Sequence, residues 1–257
     1  MAGWFSEPEV VQQVSQEDLP DDIPSLLEIA KREIERANSR TGLERAVGAL
    51  EKSAKLLKEG KKSSPHEAVH AGDIDILLAE VCFLLCERES DSSVALFWIK
   101  KGEAAAERVI RLLPSRVEGY YYGAVLRGRH AELGGLGGIA QVRIVEKLGQ
   151  RAVKIDPSFE RGGPYRLLAM IYAKAPPWPT SVGDIDLALE YAEKAVEIVD
   201  YPLNTLIMAE VLIEADEPEE AAALLRRVLA APKVGKWAQE GEHWRPHARQ
   251  LLKRLGR

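Results

Sequence analysis

The fold is decided by one stretch of the chain, which reads Gly183-Asp184-Ile185-Asp186-Leu187-Ala188-Leu189-Glu190-Tyr191-Ala192-Glu193-Lys194-Ala195-Val196. Small residues recur in it at helical spacing, at Ala188, Ala192 and Ala195, and glutamate and lysine occupy other positions. Small residues let two helices approach closely, and the charged residues favour the side that faces water. The stretch therefore predicts one helix of a closely packed helical pair.

A first helix precedes this stretch, and the same two-helix pattern follows it without insertion. The positions where the helices should pack carry apolar residues of alternating size: Tyr165, Leu168, Ala169 and Tyr172 in one first helix, Met208, Ala209 and Leu212 in the next, and Ala221, Leu225 and Val228 in the second helix of that pair. A recurring two-helix unit predicts stacked helical hairpins, none of which can bury its apolar face alone.

Prolines mark the ends of four such units, at Leu113-Pro114, Asp156-Pro157, Tyr201-Pro202 and Ala231-Pro232. Proline removes a backbone donor and clashes with the preceding helical turn, so each proline predicts a helix boundary. Farther upstream the pattern is looser, with one pair led by Ala79 and Cys82 and another led by Tyr120. The chain is therefore expected to be an all-α superhelix of antiparallel helix hairpins.

The spacing of these residues resembles that of the tetratricopeptide repeat. Within that superfamily, the chain resembles the T-component proteins of TRAP-type transporters over residues 75–232. The resemblance is carried by three segments, from Asp156 to Leu168, from Lys174 to Pro179 and from Asp200 to Asn204. The resemblance implies a tetratricopeptide-like superhelix that binds a partner. It also implies a transporter-associated ligand-binding component as an alternative, and such relatives are typically exported lipoproteins.

Three regions are expected along the chain. Residues 1–24 are acidic and proline-containing and predict an arm or linker, residues 25–232 form the repeat region, and residues 233–257 form a C-terminal capping helix. Ser25 and Glu28 have the spacing of a capping box and predict the start of the first helix.

Composition excludes several classes of protein. The 257 residues carry a formal net charge of -5, which argues against a general nucleic-acid binder. No run of about 18 apolar residues occurs, so no membrane span is expected. Cys82 and Cys86 lie four residues apart in an apolar stretch and are expected to be reduced core residues. The N-terminus lacks signal-peptide features, so a cytoplasmic location is expected, or a periplasmic one if a leader was removed.

One motif has the pattern of a zinc site. His66-Glu67-Ala68-Val69-His70 places two imidazoles one helical turn apart, as in zinc hydrolases. Ser64 and Pro65 precede it and are typical of a helix start, which explains Glu67 as a capping residue. We therefore expect no metal, no cofactor and no catalytic residue, with a zinc hydrolase using His66 and His70 as the alternative. Pro246 lies between His243 and His247 and is expected to interrupt the helix that would align them, so these two histidines are expected to bind no metal.

These features together predict a non-enzymatic binding or scaffolding module. Aromatic and arginine residues supply most of the binding energy at protein interfaces. On this basis we expect partner contacts from Tyr120, Tyr121, Tyr165, Arg166 and Trp178. Arg166 is expected to be exposed, because its neighbours fill the packing positions, and Trp178 is expected to pack over a neighbouring turn or at the rim of a groove. A protein partner is favoured, with a small-molecule ligand and self-association left open as alternatives.

Overall fold

The computed structural model describes residues 18–37, 39–59, 65–134, 138–232 and 236–256, apart from the side chains of residues 65–69, 139 and 236–243. These residues form eleven α-helices: α1 (Ile23–Arg36), α2 (Arg40–Glu59), α3 (Pro65–Cys86), α4 (Ser92–Leu112), α5 (Val117–Leu133), α6 (Ile139–Ile155), α7 (Phe159–Lys174), α8 (Ile185–Ile198), α9 (Pro202–Glu214), α10 (Pro218–Ala230) and α11 (Lys236–Arg254). The only β-type pairing in the described residues is an isolated bridge between Pro177 and Gly183. The chain is therefore all-α, as predicted.

Two compact units divide the chain between Gln141 and Val142. In the first unit, α1 to α5 pack against one another in chain order around fully buried side chains such as Leu26, Leu50 and Trp98. Cys82 and Cys86 are buried there as free thiols, which confirms their prediction as core residues. Burial raises the pKa of Cys86 to about 12, so this thiol stays protonated at neutral pH.

The second unit is built from the paired helices α7 and α8, then α9 and α10, with α6 before them and α11 after them. Ala188, Ala192 and Ala195 of α8 have no exposed surface, and Leu168 and Ala169 of α7 are equally buried. The predicted packing register of this pair is therefore confirmed. The helix at the C-terminus packs its Trp244, Ala248 and Leu251 against α9 and α10. Its role as a cap, like the predicted division of the chain into three regions, stays a prediction.

The four prolines predicted to mark helix boundaries do so. Pro114, Pro157 and Pro232 lie between helices, and Pro202 is the first residue of α9. Pro164 and Pro246, in contrast, lie inside α7 and α11, so the expected interruption of the helix at Pro246 is wrong. The expected capping box of Ser25 and Glu28 is wrong. The helix begins earlier, at Ile23, because the Asp22 carboxylate accepts a hydrogen bond from the Ser25 backbone N–H at 2.9 Å.

A kink interrupts the start of α7. Glu160, Arg161 and Gly162 have positive φ angles of 47°, 55° and 86°. Left-handed backbone suits glycine, and at Gly162 an added Cβ would lie 3.3 Å from the backbone oxygen of Ala195. The kink therefore brings the beginning of α7 close to the end of α8.

Among the described residues, no helix combines the length and the apolar character that a membrane crossing needs.

Candidate interaction surface

Three tyrosines line the contact between α7 and α8. The rings of Tyr172 and Tyr191 stack at 5.6 Å with an interplanar angle of 13°, and Tyr165 lies 5.9 Å from Tyr191. Tyr165 and Tyr172 are two helical turns apart on α7, so they share the face that meets α8. The ammonium group of Lys194 lies over the Tyr191 ring, 5.2 Å from its centroid. Tyr165 is only partly buried, so part of this residue remains accessible to solvent.

The hydroxyl group of Tyr172 joins α7 to α6. It donates to Oε1 of Glu146 at 2.8 Å and accepts from Nε2 of Gln150 at 3.3 Å. Burial and the hydrogen bond to Glu146 together raise the pKa of Tyr172 to about 12. The hydroxyl therefore stays protonated and acts as a structural donor at neutral pH.

Arg166 is a buried residue, with 8% of its surface exposed, so the expected exposure of this side chain is wrong. Its Nη1 donates to the backbone oxygen of Arg161 at 2.9 Å and to Oδ1 of Asn204 at 2.6 Å, and its Nη2 donates to the backbone oxygen of Glu160 at 2.9 Å. The left-handed residues 160–162 turn these carbonyl groups towards the guanidinium. The arginine therefore holds the kink of α7 against α9.

Asn204 completes this buried polar cluster from the α9 side. Its Nδ2 donates to the backbone oxygens of Ala195 at 2.6 Å, Arg161 at 3.1 Å and Val199 at 3.1 Å. The Tyr201 ring covers the cluster, with the guanidinium carbons of Arg161 and Arg166 at 4.7 and 5.5 Å from its centroid. These contacts join α7, α8 and α9, so Arg166 stabilises the packing of these three helices.

Trp178 has 82% of its surface exposed, so the expectation that it packs over a neighbouring turn is wrong. The loop that carries it is nevertheless ordered by backbone hydrogen bonds. The N–H of Gly183 donates to the oxygen of Pro176 at 2.9 Å, and the N–H of Asp184 donates to the oxygen of Tyr172 at 2.9 Å. An added Cβ at Gly183 would lie 2.0 Å from the Ala175 oxygen, so this close crossing requires glycine. The loop therefore closes tightly at its base and presents the tryptophan at its tip.

Tyr120 and Tyr121 belong to the first unit and behave differently from each other. Tyr121 is buried, with 8% of its surface exposed, and meets Tyr122 edge to face at 5.4 Å. Its position in the core contradicts the expectation of a surface contact. Tyr120 is partly exposed, and its hydroxyl donates to the backbone oxygen of Pro114 at 3.1 Å.

A line of three ionisable side chains crosses three helices of the second unit. Glu210 of α9 lies 3.5 Å from the ammonium group of Lys174 on α7 and 3.1 Å from Nε2 of His247 on α11. Burial pushes the pKa of Glu210 upwards, but the hydrogen bond from His247 and the charge of Lys174 outweigh it, so its pKa lies below the usual value. Sequence reasoning missed this line. The three residues are spaced by nearly one repeat length, at 174, 210 and 247, and that spacing was the available signal.

The histidine motif lies partly outside the described residues, which include the side chain of His70 but not that of His66. His70 is exposed. Within the side chains that the structure describes, no group of three or more metal-ligating residues is close enough to hold an ion.

Comparison with known proteins gives similarity at the level of structure. No protein-family model and no curated protein matches this chain. A crystal structure of TTC0263, described as a thermophilic TPR protein in Thermus thermophilus, is 15% identical, covers 87% of this chain and 98% of its own, and has a TM-score of 0.55. MamA 41-end from Desulfovibrio magneticus RS-1 is 15% identical, covers 81% of this chain and 96% of its own, and has a TM-score of 0.49. Yeast Tom70 is 10% identical, covers 95% of this chain and 66% of its own, and has a TM-score of 0.36.

The similarity to the Thermus protein extends over nearly its whole length, while the identity is too low to indicate a shared activity. This structural similarity agrees with the paired helices and the buried small residues of the second unit. The predicted all-α, tetratricopeptide-like fold is therefore confirmed.

Proposed function

We propose that this chain is a non-enzymatic protein-interaction module, and that its second unit docks a protein partner on the loop that carries Trp178. The supporting observation is the exposure of this large aromatic side chain on a loop whose base is fixed by backbone hydrogen bonds. Tryptophan buries more apolar area than almost any other side chain and is enriched among the residues that dominate binding energy. A fixed loop loses little conformational freedom on binding, which favours affinity.

The repeat fold supports this proposal, because stacked helical hairpins present extended surfaces that bind other chains. Of the five predicted contact residues, Trp178 has the accessibility that docking requires, and Tyr120 and Tyr165 are partly accessible. Contacts from Tyr120 and Tyr165 stay predictions. The narrower resemblance to TRAP T-component proteins, with a role in ligand transport, also stays a prediction.

The experiment places a photo-crosslinking amino acid at position 178 and, as a control, at the exposed position of Arg226 on α10. A protein captured only from position 178 is then purified and titrated against the wild type, Trp178→Ala and Thr180→Ala. Thr180 is an exposed neighbour on the same loop and serves as the matched control.

Loss of a central aromatic contact should weaken binding by at least about tenfold in Trp178→Ala, and Thr180→Ala should bind like the wild type. The melting temperature should not change in either variant, because the truncated side chains lie in solvent. Equal affinities of the wild type and Trp178→Ala would move the binding surface away from this loop.

A further inference from the structure

One side of α6 carries positive charge along its length. Its exposed residues between 142 and 155 are Arg143, Ile144, Lys147, Arg151 and Lys154. The four basic residues recur at intervals of four, four and three, so they form a single stripe on the helix. Glu146, the acidic residue in this range, accepts from the Tyr172 hydroxyl and does not enter the stripe.

One side of α8 carries the opposite charge. Its exposed residues are Asp186, Glu190, Glu193, Glu197 and Ile198, and the four acidic residues recur at intervals of four, three and four. Lys194 pairs with Glu190 at the border of this stripe. Three residues of each stripe make no ion pair within the part of the chain that the structure describes. They are Asp186, Glu193 and Glu197 of the acidic stripe and Arg143, Lys147 and Lys154 of the basic one.

Within each stripe, like charges three or four residues apart on a helix repel each other, and a facing stripe of opposite charge offsets this repulsion. They also have the same length, since each spans eleven residue steps, or about 16 Å at 1.5 Å per residue. When an α6 stripe is laid antiparallel on an α8 stripe, Arg143 faces Glu197, Lys147 faces Glu193, Arg151 faces Glu190 and Lys154 faces Asp186. The mismatch along the axis is at most one residue, or about 1.5 Å.

Exposed apolar residues favour the antiparallel direction over the parallel one. Ile144 and Ile198 have 41% and 38% of their surfaces exposed. In the antiparallel alignment they lie at the same end, beside Arg143 and Glu197, so their apolar surfaces can be buried together. In the parallel alignment they lie at opposite ends.

The directions of the two helices fit this alignment. Gly149 of α6 approaches Leu168, and Gln150 and Glu146 reach Tyr172, so α6 runs antiparallel to α7. Gly162 approaches Ala195 and the N–H of Asp184 donates to Tyr172, so α8 also runs antiparallel to α7. The helices α6 and α8 therefore run in the same direction. A two-fold axis perpendicular to both helices would set α6 of one copy antiparallel to α8 of the other. The same axis would set α8 of the first copy antiparallel to α6 of the second.

We propose that this protein forms a two-fold symmetric homodimer in which the basic stripe of α6 contacts the acidic stripe of α8 of a second copy. This surface is separate from the Trp178 loop, and the proposal does not depend on the function proposed for that loop. Charge complementarity of this kind predicts an association that is sensitive to salt.

The test is sedimentation velocity of the full chain over a range of concentrations, at low salt and in about 0.5 M NaCl, where exposed ion pairs are screened. We expect a concentration-dependent dimer at low salt that dissociates at high salt. Two double variants reverse the charge of one stripe each: Lys147→Glu with Lys154→Glu, and Asp186→Lys with Glu193→Lys. Each should raise the dissociation constant of the dimer at least about tenfold, because like charges then face each other. Lys55→Glu with Lys58→Glu changes two exposed lysines of α2 by the same net charge, and this control should dimerise like the wild type.

Mixing the two stripe variants should restore the dimer, since each reversed stripe then faces its complement. A chain with Lys147→Cys and Glu193→Cys should form a disulfide-linked dimer on mild oxidation, because Cys82 and Cys86 are buried. A monomer at every concentration, a dimer that neither reversal weakens, or open-ended assemblies would each overturn the proposal. A chain that stays monomeric but binds an acidic protein through α6 would assign the basic stripe to that partner and would also overturn it.

Discussion

Arg166 donates from Nη1 to Oδ1 of Asn204 at 2.6 Å, across 38 positions of sequence, and both side chains are buried. The arginine lies at the beginning of the first helix of one hairpin and the asparagine at the beginning of the next. Their contact, together with the carbonyl groups of Glu160 and Arg161, ties two successive hairpins at the same end. The pair is therefore a determinant of stability in the second unit.

Arg166→Ala should destabilise the protein by about 2–4 kcal/mol, because it removes the three hydrogen bonds of the guanidinium and leaves the buried Asn204 Oδ1 without its arginine donor. The Arg161 oxygen keeps a donor in the variant, since it also accepts from Nδ2 of Asn204. Urea unfolding followed by circular dichroism measures this change. The control is Arg226→Ala on α10, which removes an exposed arginine and should stay within about 0.5 kcal/mol of the wild type. Equal stability of the two variants would contradict the structural role of Arg166.

Tyr172→Phe should cost about 1–2 kcal/mol, because it removes the donor to the Glu146 carboxylate and keeps the ring stacked on Tyr191. Thermal or urea unfolding provides the measurement. Tyr191→Phe is the companion variant, since it retains the same ring stack without touching the link to α6. If both variants lost the same free energy of unfolding, the hydroxyl contact with Glu146 would be energetically unimportant.

Ala195→Phe should destabilise the protein by about 1–3 kcal/mol, because Ala195 is fully buried where α8 meets the kink of α7. Ala223→Phe places the same side chain on the exposed side of α10 and should be tolerated. Differential scanning calorimetry compares the two melting temperatures. An unchanged melting temperature for Ala195→Phe would count against the packing register of α7 and α8.

Acid should weaken the contacts of Glu210 that link α9 to α7 and α11. The pKa of Glu210 is lower in the folded protein than in the unfolded chain, so its contribution is present above the usual glutamate pKa and is lost as pH falls through the folded value. Between about pH 5.5 and 3.5 the wild type should therefore lose about 0.5–1 kcal/mol more stability than Glu210→Gln. Urea unfolding at both pH values checks this difference. Glu214→Gln, one turn along α9 and exposed, should follow the wild type, and an identical loss in all three proteins would contradict the prediction.

The packing of the second unit could be predicted from sequence because it depends on residue size at fixed spacing. Ala188, Ala192 and Ala195 are small at positions where a larger side chain would keep the helices apart, and this requirement is visible in one chain. The boundaries at Pro114, Pro157, Pro202 and Pro232 are visible for a similar reason, since proline restricts the backbone, although Pro164 and Pro246 show that a helix can also contain one.

Arg166 and Trp178 could not be placed in the same way. The burial of Arg166 depends on the left-handed turn at residues 160–162, which directs two carbonyl groups inwards and which no helical pattern indicates. The exposure of Trp178 depends on how tightly the loop closes at Gly183, and side-chain type alone indicates the opposite.

The exposure of Trp178 also has a spectroscopic consequence. Trp98 and Trp244 have 2% and 6% of their surfaces exposed, so they are shielded from water and from dissolved quenchers, while Trp178 is open to both. Its indole emission should therefore lie at long wavelength and fall readily on addition of iodide. The difference in fluorescence between the wild type and Trp178→Phe isolates this signal from the other tryptophans. Contact at the loop tip can thus be followed with no attached dye, through the protection of a single native chromophore.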